Sequence, residues 1–329
     1  MVEMNRDPRR ALGGLLRAIA ALSLFPGLLL GQSSARDALS VFPADTQQLA
    51  YSNLAQLRAQ PDYEQIQQRL LTPQLKTFMD FLRSMGTDPD KDVDEVTLGW
   101  HGDLDDASAY YGLAWGRFQP EKVHDFFVQQ KLPWQEYGGY DLYAFGSGES
   151  RRDIFFAFFS SSSAALGRLS DLKTLIDVHA GTHPALDLKP DFVKYEAELE
   201  GTSAQWGIAT GAAAANRAAP WLAGGKLPFD PKALLTPVQA VLYRMDWGSG
   251  FTTHMSVVCD SEQSASLLAQ LVTAYRDVRP AASVSPAVSS FIQGLQVQAS
   301  GSRVELTGSA PVQFVDQIMS GPSASGTSQ

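Results

Sequence analysis

Two stretches toward the C-terminal end restrict the fold most. VQAVLYRMDW (238–247) and FTTHMSVVCD (251–260) read as strands with Gly248 and Gly250 at the junction, and along the second Phe251, Thr253, Met255, Val257 and Cys259 fall on one face. Period-two alternation turns one side of an extended chain to a core and the other to solvent. Glycines at the junction let the chain reverse, so the pair reads as a β-hairpin. QQLAYSNL (47–54) alternates in this way, and further strands are expected at VDEVTLGW (93–100), ASAYYGLAWG (107–116), SAALGRL (163–169) and SAQWGIATG (203–211); DIFFAFF (153–159) is unbroken in its aromatic character and reads as a central strand covered on both faces. Further hairpins are expected where WQEY and YDLYAF flank Gly138-Gly139, and where LQVQAS and RVELTGS flank Gly301-Ser302. Such a chain must build a large sheet.

Helical periodicity fills the intervals. Ile66, Leu70, Leu71, Leu75, Phe78, Phe81 and Leu82 recur at three- and four-residue steps between Tyr63 and Met85, with Pro73 splitting the run. Further helices are expected at 120–130, at 171–178 with Ser170 as N-cap, at 191–199, at 212–219, at 261–276 and at 311–319. Residues 36–46 read as a short lead-in. The fold class is therefore α+β: a mostly antiparallel sheet with helices on one face. A strand pair, a helix, a second strand pair and a closing helix occur near 107–178 and again near 237–319. This order suggests two similar α+β halves, 36–185 and 186–319, followed by a disordered tail, 320–329.

The N-terminus reads as an export signal. Arg6, Arg9, Arg10 and Arg17 precede AIAALSLFPGLLLG (18–31), an apolar run without ionisable groups, and Ser33-Ser34-Ala35 places small residues at the −3 and −1 positions of a cleavage site. The expected mature start is Arg36. The 14-residue run falls short of the ~20 residues a bilayer core needs and is interrupted by Pro26-Gly27, which disfavours a retained anchor. No cysteine lies near the junction to carry a lipid. The expected location is exported, periplasmic or extracellular, with cleavage near Ala35.

Loss of residues 1–35 removes four arginines and two acids and takes the formal charge from −9 to −11. A chain so acidic is a poor partner for nucleic acid or anionic lipid. The single cysteine, Cys259, cannot form an internal disulfide and falls on the apolar face of its strand, where an inert buried thiol is expected.

The segments VFPADTQQLAYSNLAQLRAQPDY (41–63) and MGTDPDKDVDEVTLGW (85–100), with GRFQPEKV (116–123) as a weaker continuation, resemble the opening of a group of uncharacterised exported bacterial proteins. That group begins with a Pro-Ala-Asp-Thr strand, a Leu-Arg-x-x-Pro-x-Tyr helix entry and a Gly-x-Asp-Pro-x-x-Asp-Val turn. The resemblance implies a shared fold and a non-catalytic envelope role, and brings no catalytic residues with it.

Candidate sites are few. Asp88, Asp90, Asp92 and Asp94 alternate like the first positions of a calcium loop. Val93 and Gly99 stand where that loop needs glycine and glutamate, so a solvated turn is the favoured reading. His179 and His183 have the spacing of a helical metal pair, but Gly181 and Pro184 oppose a helix there. Ser170 and Lys173 form a Ser-x-x-Lys match without the companion motifs of penicillin-recognising enzymes. The aromatic segments offer a sharper possibility: an apolar cleft lined by Trp115, Tyr140 and Phe156.

Together these readings favour a non-catalytic exported envelope or binding protein without a cofactor. The alternatives are a periplasmic module for an apolar, peptide or glycan ligand, and a hydrolase built on an unrecognised site such as Ser170 with Lys173 or His179 with a carboxylate.

Overall fold

The computed structural model describes residues 34–60, 63–64, 73–101, 110–151, 153–215, 235–248, 250–277 and 286–311. Helix α1 (Ser34–Val41) leads into strand β1 (Gln48–Asn53) and the short α2 (Leu54–Arg58), which is capped by the Asn53 side chain accepting from Gln56 N at 2.8 Å. Next come α3 (Pro73–Ser84), the single turn α4 (Pro89–Asp92), β2 (Val93–Trp100) and β3 (Tyr110–Gly116). Helix α5 (Pro120–Gln130) starts on a proline, whose fixed φ suits the first helical turn, and ends on Lys131 in the left-handed region. Strands β4 (Trp134–Tyr137), β5 (Tyr140–Phe145), β6 (Ile154–Phe158) and β7 (Ser163–Arg168) then precede α6 (Leu169–His179).

After a 3-10 turn at Leu186–Leu188 come α7 (Pro190–Leu199), β8 (Gln205–Thr210), β9 (Val238–Trp247) and β10 (Gly250–Cys259). Helices α8 (Glu262–Asp277) and α9 (Pro286–Gln293) and strands β11 (Gln296–Ser300) and β12 (Arg303–Pro311) complete the described elements.

All twelve strands form one sheet in the order β11-β12-β10-β9-β8-β1-β2-β3-β7-β6-β5-β4. Every neighbouring pair is antiparallel. The α+β class with a mainly antiparallel sheet is thus the observed one, and the hairpins turn at the expected glycines. Gly138 and Gly139 both have positive φ, which a tight two-residue β-turn demands, and Gly301 does likewise between β11 and β12.

Helices cover both faces of the sheet, where one was expected. Side chains alternate along a strand, so each strand feeds two cores. On one face Tyr51, Tyr111, Leu113, Leu142, Phe155, Trp206 and Leu242 pack beneath α1, α6 and α7 through Leu39, Leu172, Ile176, Phe192 and Leu199. On the other, Tyr143 and Phe156 meet Val123 and Phe127 of α5, Leu98 and Ala114 lie with Leu57 and Met79, and Val241 and Val257 pack on Leu268 of α8. The near-continuous aromatic run of β6 follows from this double coverage. Burying each such side chain contributes roughly 1.5–3 kcal/mol before entropy is charged against it. The first core crosses the middle of the sheet without a break, since Trp206 of β8 packs on Tyr51 of β1 with ring centroids 5.1 Å apart.

Three local expectations change. The lead-in is helical: α1 begins at Ser34, and Ala35, Ala38, Leu39, Val41 and Phe42 are all buried. Ser170 is not an N-cap, because α6 already starts at Leu169 on Arg168. Strand β12 runs on to Pro311, where a helix was expected to begin; the remainder of that helix and the tail lie outside the described residues, as does the segment 1–33. Cys259 is buried as expected, and burial pushes its thiol pKa up.

Candidate functional site

Strand register decides which candidate aromatics can act together. Trp115 of β3 stands opposite Ser163 of β7, Phe159 N donates to Ser163 O at 2.9 Å, and Tyr137 of β4 is opposite Tyr140 of β5. Extending the β5–β6 pairing, in which Tyr143 faces Phe156, puts Tyr140 across from Phe159; their rings lie 5.3 Å apart, edge to face. Trp115, Ser163, Phe159, Tyr140 and Tyr137 therefore form one row across five strands, at about 4.8 Å per strand step. All four aromatics of the row are partly buried and pack against the margin of the first core.

Phe156 does not join them. It lies on the opposite face, buried among Phe127, Tyr143 and Phe158. The sequence expectation grouped three aromatics that the pleat separates; Trp115 and Tyr140 stay together, and Phe159 and Tyr137 take the place of Phe156.

Helix α6 supplies the polar rim of this row. Lys173 and Asp177, four residues apart, share a helical face. The Tyr137 hydroxyl donates to both Asp177 carboxylate oxygens at 3.0 and 3.1 Å, and Lys173 Nζ lies 4.8 Å from the Tyr137 ring centroid. The exposed His179 ring stacks on Phe159 at 4.5 Å with the planes 5° apart. At the other end, the buried Nε1 donor of Trp115 has no acceptor among the described residues. The site thus offers stacked ring faces, a cation, a carboxylate and one unsatisfied indole donor.

The aspartate loop has its charges committed elsewhere. Asp88 caps α4 by accepting from Asp90 N and pairs with Lys91 at 2.7 Å, which holds its carboxyl below the usual range. Asp90 pairs with Arg83 at 2.5 Å, Asp92 accepts from Asp88 N at 2.6 Å, and Asp94 pairs with Arg117 at 3.3 Å. No group of three or more His, Cys, Asp or Glu side chains among the described residues is arranged to hold a metal ion.

The nucleophile candidates are dispersed as well. Ser170 donates to Asp171 at 3.4 Å, whereas Lys173 turns to Tyr137. His124 bonds Asp141 at 2.8 Å beside Tyr143 and Trp134, and His183 is exposed in a turn. His101, which no sequence motif marked, lies just past β2, 3.4 Å from Asp171 and 3.6 Å from Asp45, with its ring against Tyr111. The Asp171 hydrogen bond raises its pKa. Its partners lie far apart in sequence, so no local pattern marks it.

The sequence matches no family profile and no curated protein. Solved structures that resemble the fold include three crystal forms of the protein TP0453. Crystal form I aligns with a TM-score of 0.50 at 12% identity over 86% of this chain and 97% of that one. Crystal forms III and IV give TM-scores of 0.49 at the same identity, covering 98% and 96% of that chain. At such identity the likeness is one of fold.

Proposed function

We propose that this is an exported, non-catalytic envelope protein that binds a small apolar, peptide or glycan ligand along the row Trp115, Phe159, Tyr140 and Tyr137. The observation that carries the reading is the row itself. Partly buried aromatic faces are gathered by sheet register beside Lys173, Asp177 and His179, with the Trp115 Nε1 donor left without an acceptor among the described residues. Flat rings with a few polar groups at their rim suit the face of a sugar or the side chains of an extended peptide. The leader-like residues 6–31 and the resemblance of 41–63 and 85–100 to exported bacterial proteins support the export part of the proposal. Hydrolysis is the weaker reading, because Ser170 and Lys173 engage different partners.

Native mass spectrometry of the protein purified from the envelope tests this directly. The expected result is a retained small-molecule mass in the wild type that is lost in Tyr140→Ala/Phe159→Ala with the protein still folded by circular dichroism. A wild type carrying nothing, or a mass retained equally by the double variant, refutes the aromatic site.

A further inference from the structure

Glu95 of β2 has no cationic partner among the described residues. It is half-buried, and desolvation raises its pKa. Its carboxylate accepts from the Ser34 backbone N at 2.6 Å and also engages the Ser34 and Tyr51 hydroxyls, yet no arginine, lysine or histidine among the described residues pairs with it. The like charge of Asp94 adds to the rise in its pKa. Ser34 is itself fully buried at the start of α1, and its hydroxyl lies 3.0 Å from that of Thr97, also fully buried.

The sequence puts a second junction beside this carboxylate. Reading Gly31-Gln32-Ser33 as positions −3 to −1 satisfies the small-residue rule as well as Ser33-Ser34-Ala35 does. The two junctions differ in what they leave behind. Cleavage after Ala35 deletes Ser34 and Ala35, both fully buried, and strips Glu95 and Thr97 of their Ser34 partners. Cleavage after Ser33 keeps every one of these contacts and changes only the charge on one nitrogen.

We infer that the leader is removed between Ser33 and Ser34, and that the liberated Ser34 α-ammonium forms a part-buried ion pair with Glu95. This rests on the export reading above. Hydrolysis of the Ser33–Ser34 peptide bond by a leader peptidase consumes one water, leaving a carboxylate on Ser33 and an amine on Ser34. That amine is largely protonated at neutral pH, since α-amino groups titrate near 7.7–8.0, and a carboxylate neighbour favours the charged form. Cleavage precedes folding, so the burial of Ser34 does not obstruct it. Folding then replaces a neutral donor at Glu95 with a charge-assisted one.

Three measurements on the expressed full-length chain separate the outcomes. Intact mass and N-terminal sequencing of the exported protein are expected to give Ser34. A start at Arg36 overturns the inference and leaves export standing, whereas an unprocessed chain confined to the cytoplasm overturns the export reading. Gly31→Phe, which places a bulky ring at −3 of the inferred junction and at −5 of the other, is expected to reduce processing at least tenfold; unchanged processing points to the Ala35 junction and overturns the inference. Amine acetylation followed by peptide mapping reads the ion pair. The α-amine is expected to react at least tenfold more slowly in the native protein than in urea, and Glu95→Gln is expected to remove most of that protection while leaving the N-terminus at Ser34. Native and unfolded rates that agree overturn the pairing.

Discussion

Glu196 on α7 is fully buried, and neither carboxylate oxygen has a hydrogen-bond partner among the described residues. Burial, with the nearby Glu200 adding to it and Arg36 opposing it, raises its pKa. An acid that protonates more readily in the folded state draws stability from its proton at low pH and loses it as pH climbs through the folded pKa. Glu196→Gln keeps the shape and removes the charge, so it should stabilise the protein by about 1 kcal/mol at neutral pH. The gap to wild type should close on acidification, as urea melts at several pH values would record. Nothing in the local sequence marks Glu196, because glutamates on amphipathic helices are ordinarily solvated. Its burial is tertiary: α1 packs against α7, and Arg36 of α1 acts on its charge. Tyr140 and Trp115 were legible as aromatics on strands, but their company was not, since it depends on register between strands up to 48 residues apart.

At the level of elements, the seat of α1 depends on a missing side chain. Phe42, just beyond the helix, meets the Tyr111 ring edge-on at 5.1 Å, and the Tyr111 hydroxyl lies 2.7 Å from that of Thr46. Gly99 leaves room for both rings: a Cβ there would stand 2.5 Å from Tyr111 Cε2 and 2.9 Å from Phe42 Cδ2. Gly99→Ala should therefore cost about 1–3 kcal/mol through overpacking, measured as a lower denaturation midpoint with an unchanged slope. The strands and most helices could be read because their periodicity is local. Helix α1 could not, since its small and polar residues Ser34, Ala35 and Ser40 look like a processing site followed by a loop. Helix coverage of both faces was legible only in the unbroken aromatic run of β6; strands with mixed patterns such as β5 hid it, because they alternate between two cores rather than between core and water.

The described strands form one sheet whose edges are blunted. Strand β4 is only four residues long and carries the exposed Glu136, and β11 exposes most of QVQAS, so neither edge offers a long apolar template. Because the first core includes Tyr111 and Leu142 together with Trp206, Leu242 and Val258, the segments 36–185 and 186–319 share hydrophobic contacts. Thermal unfolding should accordingly give one transition, with coincident fluorescence and circular dichroism curves; two resolved transitions would show the halves to be independent. Strand β1 sits at the seam, pairing with β2 on one side and with β8 on the other, where Gln205 reaches Ser52 across 153 residues of chain. Synthesis from the N-terminal end delivers β1 long before β8, and during that interval one border of β1 has no mate, which leaves the unpaired N–H and C=O groups of residues 48–53 open to pairing with a strand of another chain.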